Sequence, residues 1–168
     1  VVRDINKFSN NVMARQLYLT LAAEATKRPA RTEDAETAVR AWLAQKGLPM
    51  PELVIENGSG LSRSERISAD SLGRLLMAAY AGPTMPEFVA SLPLAGIDGT
   101  MRKRLNGNDV AGQAHVKTGY LDGARALAGY VLDRRGRRAV VVFLANHPNA
   151  GATKAAQDAL LACAWERS

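Results

Sequence analysis

Hydrophobic and polar positions in the first half of the chain follow a helical period. Apolar side chains recur at three- and four-residue steps after Ser9 and Asn10, which predicts a helix there. We expect its buried face to carry Val12, Met13, Gln16, Leu17, Thr20 and Leu21. The same period predicts helices over about 33–45, 68–80 and 86–92, the first of them with Trp42 on its apolar face.

The last third of the chain has a strand-like pattern instead. Apolar runs over 126–133 and 138–145, separated by a short turn, predict a hairpin of two buried strands. A strand beginning near Val116 precedes the hairpin, and an alanine-rich helix over 152–165 follows it. A further short strand is predicted at 53–55. Helices followed by three antiparallel strands and a closing helix indicate the α+β class, in one domain over residues 1–168.

Composition limits the classes of function. The chain carries a net charge of +6, and no stretch approaches the roughly 18 apolar residues that a membrane-spanning helix needs. A basic nucleic-acid-binding module remains a remote alternative. The basic residues are scattered in short groups, and the aromatic residues, 5% of the chain, do not interleave with them as a base-stacking platform requires. We therefore expect no nucleic-acid partner.

No metal or cofactor is expected from the pattern of possible ligands. Cys163 is the only cysteine, and its alanine-rich helical surroundings predict a small buried side chain. His115 and His147 are the only histidines, and no His-Glu-x-x-His spacing exists. His115 shares a predicted strand face with Lys117 and could therefore approach the same cleft. We interpret it as a surface imidazole.

The tripeptide Lys117-Thr118-Gly119 is the strongest chemical signal in the chain. An ammonium and a hydroxyl on an edge strand can together bind a peptide that ends in a carboxylate, and a glycine lets a substrate backbone lie close. The alternative is an exposed lysine that protects a sheet edge from unwanted pairing.

A second motif, Ser9-x-Asn11, stands at the start of the first predicted helix. Ser9 could instead be only the cap of that helix. Between the two motifs lies the loop 56–63, Glu-Asn-Gly-Ser-Gly-Leu-Ser-Arg, whose Gly58 and Gly60 we interpret as turn residues rather than catalytic ones.

Together these motifs resemble the C-terminal part of class C low-molecular-mass penicillin-binding proteins. These are serine-type D-alanyl-D-alanine carboxypeptidases/endopeptidases of the peptidase S13 family. The resemblance covers essentially the whole chain and implies part of a β-lactamase/transpeptidase-like domain. It also implies a periplasmic location, peptidoglycan stem peptides ending in D-Ala-D-Ala as substrates, and β-lactams as ligands of the full-length protein.

The resemblance also implies a role for each motif residue. Ser9 would relay a proton toward the leaving amine, and Asn11 would contact the catalytic lysine and the substrate's acyl-side amide. Lys117 would support the electrostatics around Ser9. Thr118 would hold the substrate carboxylate, and the backbone after Gly119, near Tyr120, would pair with substrate and supply one oxyanion-hole N–H. Tyr120 departs from the small hydroxyl residue that is more usual there.

The nucleophile of this chemistry is not in the sequence. The family uses a Ser-x-x-Lys pair, and no serine here has lysine three residues later. We therefore expect a C-terminal portion whose nucleophile lies upstream. We also expect the outer edge of the strand over 139–145 to be bare or covered by another chain segment. The alternatives are a pseudo-enzyme that binds cell-wall peptide without reaction, and a β-lactamase-like or esterase activity.

Overall fold

A computed structural model describes residues 1–167 of the chain. Its α-helices are α1 (Val2–Phe8), α2 (Asn11–Thr26), α3 (Thr32–Gln45), α4 (Ala69–Ala81), α5 (Met85–Ser91) and α6 (Lys154–Glu166). Its strands are β1 (Ala114–Leu121), β2 (Ala124–Leu132) and β3 (Arg138–Asn146). Short 3-10 helices cover Gly99–Met101 and Ala150–Thr153. The predicted α+β class is confirmed.

The three strands form one antiparallel sheet in the order β1-β2-β3. Lys117 of β1 lies opposite Ala128, and Ala128 lies opposite Val142 of β3. No strand within residues 1–167 pairs with the outer edge of β3. The outer edge of β1 is paired only at its beginning, through an isolated bridge between Leu94 and His115.

Helices cover both faces of this sheet, because alternate residues of each strand point to opposite sides. On one face Val116, Leu127 and Val141 pack against Leu161 of α6. On the other face Tyr130 packs with α4 and α5, and its hydroxyl donates to the Leu76 carbonyl at 2.6 Å. Lys117 belongs to this second face, since its cross-strand neighbour Ala128 packs there.

The apolar face predicted for α2 is wrong in its orientation. Val12, Leu17 and Leu21 are exposed, whereas Tyr18 and Ala22 are buried in a cluster shared with α3. Both stripes satisfy a helical period, and the stripe with Tyr18 and Ala22 is buried because it packs with Ala35 of α3. Trp42 of α3 is likewise exposed rather than buried.

Three further local predictions need correction. The segment 53–55 is not a strand, because Val54 forms only one isolated bridge, with Arg66. Cys163 is exposed on α6, since Leu161 and Ala164 supply the buried side of that helix. Helix α1 was not predicted at all, because its seven residues are too few to display a hydrophobic period.

Within residues 1–167 no helix is both long and apolar enough to span a membrane. The same part of the chain contains no group of three or more acidic, histidine or cysteine side chains that could hold a metal ion.

Gly129 allows β1 and β2 to approach closely beside the predicted site. It has φ +153°, and a Cβ there would lie 2.1 Å from the His115 carbonyl oxygen and 2.8 Å from Val116 Cα. These neighbours are backbone atoms of a paired strand, so they cannot move aside without disturbing the sheet that carries Lys117.

We predict that Gly129→Ala lowers the free energy of unfolding by about 3 kcal/mol, the upper end of typical overpacking costs. Urea denaturation measures this loss. Gly136→Ala is the matched control, because Gly136 also has positive φ but an added Cβ would meet nothing within 4 Å. It should cost only about 1 kcal/mol of backbone strain. Equal losses in the two variants would contradict the steric account.

Candidate active site

Ser9 lies in a tight junction between α1 and α2. It has left-handed backbone angles, φ 53° and ψ 46°, and ends α1. Asn10, not Ser9, caps α2, because its side-chain oxygen accepts from the Met13 N–H at 3.0 Å. The alternative in which Ser9 is only the cap of that helix is therefore wrong, and its hydroxyl is free for another contact.

That contact is with Lys117, 108 residues further along the chain. The Lys117 ammonium donates to Ser9 Oγ at 2.9 Å and to the Thr118 carbonyl at 2.6 Å. One bond reaches the helix junction and the other returns to the strand's own backbone. The ammonium is thus held between the α1–α2 junction and the edge of β1, with both motifs in direct contact.

The Lys117 charge has no counter-ion in the part of the chain that the structure describes. Its side chain is largely withdrawn from water, and this burial lowers the pKa of the ammonium. A buried cation without a carboxylate partner is costly, so the site gains stability from any anion that reaches it. This electrostatic setting suits a carboxylate ligand better than it suits a lysine that merely protects a sheet edge.

Two further motif side chains carry unused hydrogen-bonding capacity. Asn11 opens α2 next to Ser9, and Thr118 follows Lys117 on β1; both are half-buried. Within residues 1–167 neither the Asn11 amide nor the Thr118 hydroxyl has a hydrogen-bond partner. A half-buried amide and a half-buried hydroxyl without partners can each still bind a polar group of a ligand.

The outer edge of β1 presents backbone groups beside these side chains. The Val116 N–H points outward, because it donates to the Pro93 carbonyl at 2.9 Å. Amides alternate sides along a strand, so those of Thr118 and Tyr120 also face outward, where no strand of residues 1–167 covers them. An extended peptide can therefore add to this edge. Gly119 has a second constraint, since a Cβ there would lie 3.1 Å from Ala126 Cβ.

Tyr120 stands at the far end of this edge with its ring 74% exposed. The guanidinium of Arg125, its cross-strand neighbour, lies 3.4 Å from the ring centroid. Arg125 was not among the residues that the sequence predicted for the site. The short connection between β1 and β2 could have indicated that Arg125 lies opposite Tyr120. The stacked pair holds the Tyr120 ring at the rim of the site.

Comparison with known proteins shows the family of this chain. The model of the D-Ala-D-Ala carboxypeptidase 3 (S13) family matches residues 1–166. The chain belongs to this family. It is 36% identical to a D-alanyl-D-alanine carboxypeptidase of an Actinomadura species and 38% identical to carboxypeptidase DacB of Mycolicibacterium smegmatis. These matches cover 92% and 96% of this chain but only 29% and 36% of the relatives' own length.

A solved structure shows the same fold. Penicillin binding protein 4 (dacB) from Haemophilus influenzae, in complex with a β-lactam, matches with a TM-score of 0.82 at 28% identity. The match covers 86% of this chain and 34% of that one. The S13 chain therefore reproduces about a third of a larger penicillin-binding architecture.

His115 of this S13 chain is not the surface imidazole that the sequence predicted. It is half-buried behind Lys117, and its Nδ1 is buried without a hydrogen-bond partner among residues 1–167. Burial lowers the pKa of the imidazole, and the charges of Arg138 and Lys7 act in the same direction. A neutral His115 adds no second positive charge next to Lys117.

The loop 56–63 has the structural character that was expected. Gly58 has φ +72°, and a Cβ there would lie 2.6 Å from Tyr18 Cβ. The Asn57 side-chain oxygen accepts from the Ser59 N–H at 3.0 Å, which is a typical turn contact. Gly58 and Gly60 therefore fit a turn that packs on α2.

We predict that Lys117 makes unfolding stability depend on alkaline pH. The folded state lowers the pKa of this ammonium, so the unfolded state retains the proton to higher pH. Stability should therefore rise as pH increases from the lowered pKa toward the unfolded value of about 10.4. The difference in unfolding free energy between the wild type and Lys117→Met isolates this effect, since other titrations cancel. A difference that stays flat or falls over that range would contradict it.

Proposed function

We propose that the protein containing this chain is a serine-type D-Ala-D-Ala carboxypeptidase/endopeptidase that acts on peptidoglycan stem peptides. The observation that carries the proposal is the bond from the uncompensated Lys117 ammonium to Ser9 Oγ beside an open strand edge. Family membership and the likeness to penicillin binding protein 4 support the same reaction class. A periplasmic location is part of the proposal, because peptidoglycan lies outside the cytoplasmic membrane.

The residues of this chain would bind and orient the D-alanyl terminus. The peptide lies along the outer edge of β1, and its terminal carboxylate accepts from the Thr118 hydroxyl near the Lys117 charge. The Asn11 amide contacts the acyl side of the peptide. The outward N–H of Tyr120 donates to the scissile carbonyl oxygen, where negative charge develops in the transition state.

The nucleophilic serine belongs to a part of the protein outside this chain. Its oxygen forms an ester with the carbonyl carbon while the bond to the terminal D-alanine nitrogen breaks. The lysine of the Ser-x-x-Lys pair takes the proton of the nucleophilic hydroxyl and passes it on to Ser9. Ser9, held by Lys117, gives its own proton to the leaving nitrogen, so D-alanine leaves as a neutral amine. Water then hydrolyses the ester and regenerates the serine. β-Lactams enter the same path because their strained amide presents an equivalent carbonyl and carboxylate.

We predict that Lys117→Ala in the full-length protein lowers the rate constant of β-lactam acylation by about 10²-fold, as for loss of one preorganised electrostatic group. Thr118→Val should lower kcat/KM for D-alanine release by about 10- to 100-fold, because one hydrogen bond to a charged group is lost. Lys103→Ala is the matched control, since Lys103 is exposed and its side chain forms no hydrogen bond or ion pair within residues 1–167. Wild-type acylation in Lys117→Ala would refute the proposed role.

We further predict that the 168-residue chain alone forms no covalent adduct with a fluorescent penicillin, because it contains no Ser-x-x-Lys. The full-length protein is the positive control in the same gel assay. A stable adduct on the isolated chain would show that the nucleophile lies within it. If the full-length protein binds stem peptide but is never acylated, the pseudo-enzyme alternative holds instead.

A further inference from the structure

A buried ion pair lies directly beside the α1–α2 junction. Lys7 projects from α1, two residues before Ser9, and its side chain is only 6% exposed. Its ammonium donates to Asp98 Oδ2 at 2.6 Å, to Asp98 Oδ1 at 2.8 Å and to the Leu92 carbonyl at 2.7 Å. All three donors of Lys7 are therefore used within one connection, between α5 and the 3-10 helix over Gly99–Met101.

Asp98 links this same connection to β1. Burial acts to raise the pKa of its carboxyl, but hydrogen bonds from Lys7 and from the Leu94 N–H at 2.8 Å more than offset burial, so the pKa is lowered. Leu94 is in turn flanked by residues that bond to β1. The Val116 N–H donates to the Pro93 carbonyl, and the Ala95 N–H donates to the Ala114 carbonyl, both at 2.9 Å.

The segment 92–98 thus holds both halves of the site at once. Leu92 and Asp98, at its two ends, bind Lys7, which fixes α1 and therefore Ser9. Between these ends, Pro93 and Ala95 pair with β1 as far as Val116, the residue before Lys117. The fit is tight, because a Cβ on Gly99 would lie 2.6 Å from the Lys7 carbonyl oxygen.

No hydrogen bond or ion pair joins Lys7 or Asp98 to the motif residues Ser9, Asn11, Lys117 and Thr118. Resting on the proposed function, we infer that Lys7–Asp98 is a positioning pair that sets the Ser9–Lys117 hydrogen bond without touching substrate. A displacement of reacting groups by about 1 Å can cost about 10²-fold in rate. Both partners of the 2.9 Å bond depend on the segment that this ion pair anchors.

Two substitutions in the full-length protein test the inference. Lys7→Met removes the cation, and Asp98→Asn removes the anion while retaining an oxygen that can accept from Leu94. Each should lower the acylation rate constant by about 10²-fold, while the dissociation constant of the non-covalent β-lactam complex changes much less. Single-turnover kinetics separate these two quantities.

The matched control is Arg104→Met. Arg104 forms a second partly buried ion pair, with Asp158 of α6 at 2.5 Å, on the same connecting region but away from the site. This variant should lose comparable stability in thermal melts and keep the acylation rate within about threefold of wild type. If the acylation rate constant falls in proportion to the loss of thermal stability in all three variants, the positioning role is overturned.

The titration of Lys117, read by NMR of its ε-carbon, provides a second readout. Opening the junction admits water, so the pKa of Lys117 should rise in both Lys7→Met and Asp98→Asn. A purely Coulombic effect would move it in opposite directions, because the two variants remove charges of opposite sign. Opposite shifts, or none, would overturn the inference.

These outcomes are separable from those of the proposed function. If wild-type protein is not acylated, the proposed function fails, whereas the Lys117 titration still reports on positioning. If wild-type protein is acylated and both variants react at its rate, the positioning role fails and the proposed function stands.

Discussion

The bond between the Lys117 ammonium and Ser9 Oγ is the contact on which the rest of the site depends. It joins the edge of β1 to the α1–α2 junction, and it is the hydrogen bond that brings the two sequence motifs into contact. The ammonium is partly withdrawn from water and has no carboxylate partner among residues 1–167. Such an arrangement is unfavourable for the empty protein and becomes favourable when an anion is bound, which is the energetic signature of a binding site rather than of a structural ion pair.

Beside this bond, the fold leaves one edge of the sheet, that of β1, only partly covered. The segment 92–98 pairs with β1 through Val116 and then turns away, so the outward amides of Thr118 and Tyr120 remain open. Gly129 lets the two strands behind this edge lie close together. Helices on both faces of the sheet keep the strand from shifting its register, since a shift by one residue would turn Lys117 to the α6 side.

Much of this arrangement could be predicted from the sequence, because its signals are local. The strand period predicts the hairpin, and the alanine content predicts α6. The Lys117–Gly119 motif is recognised from its residue types. What could not be predicted depends on contacts between distant segments. The choice of Tyr18 over Val12 as a buried side chain of α2 is decided by α3, and the burial of Lys7 is decided by Asp98, 91 residues away. Neither choice leaves a trace in local periodicity.

Ser9 shows how a local strain and a distant contact combine. Left-handed backbone angles cost a non-glycine residue about 1–2 kcal/mol, so glycine would be the more stable choice at this helix end. The strain alone indicates nothing, because Lys27 ends α2 with φ 56° and has no place in the site. Ser9 differs from Lys27 because Asn10 caps α2 in its place, and the Ser9 hydroxyl accepts a hydrogen bond from Lys117. Glycine would relieve the strain and remove the one atom at this junction that reaches the strand. A serine here is therefore explained by its hydrogen bond to Lys117 and not by the stability of the turn.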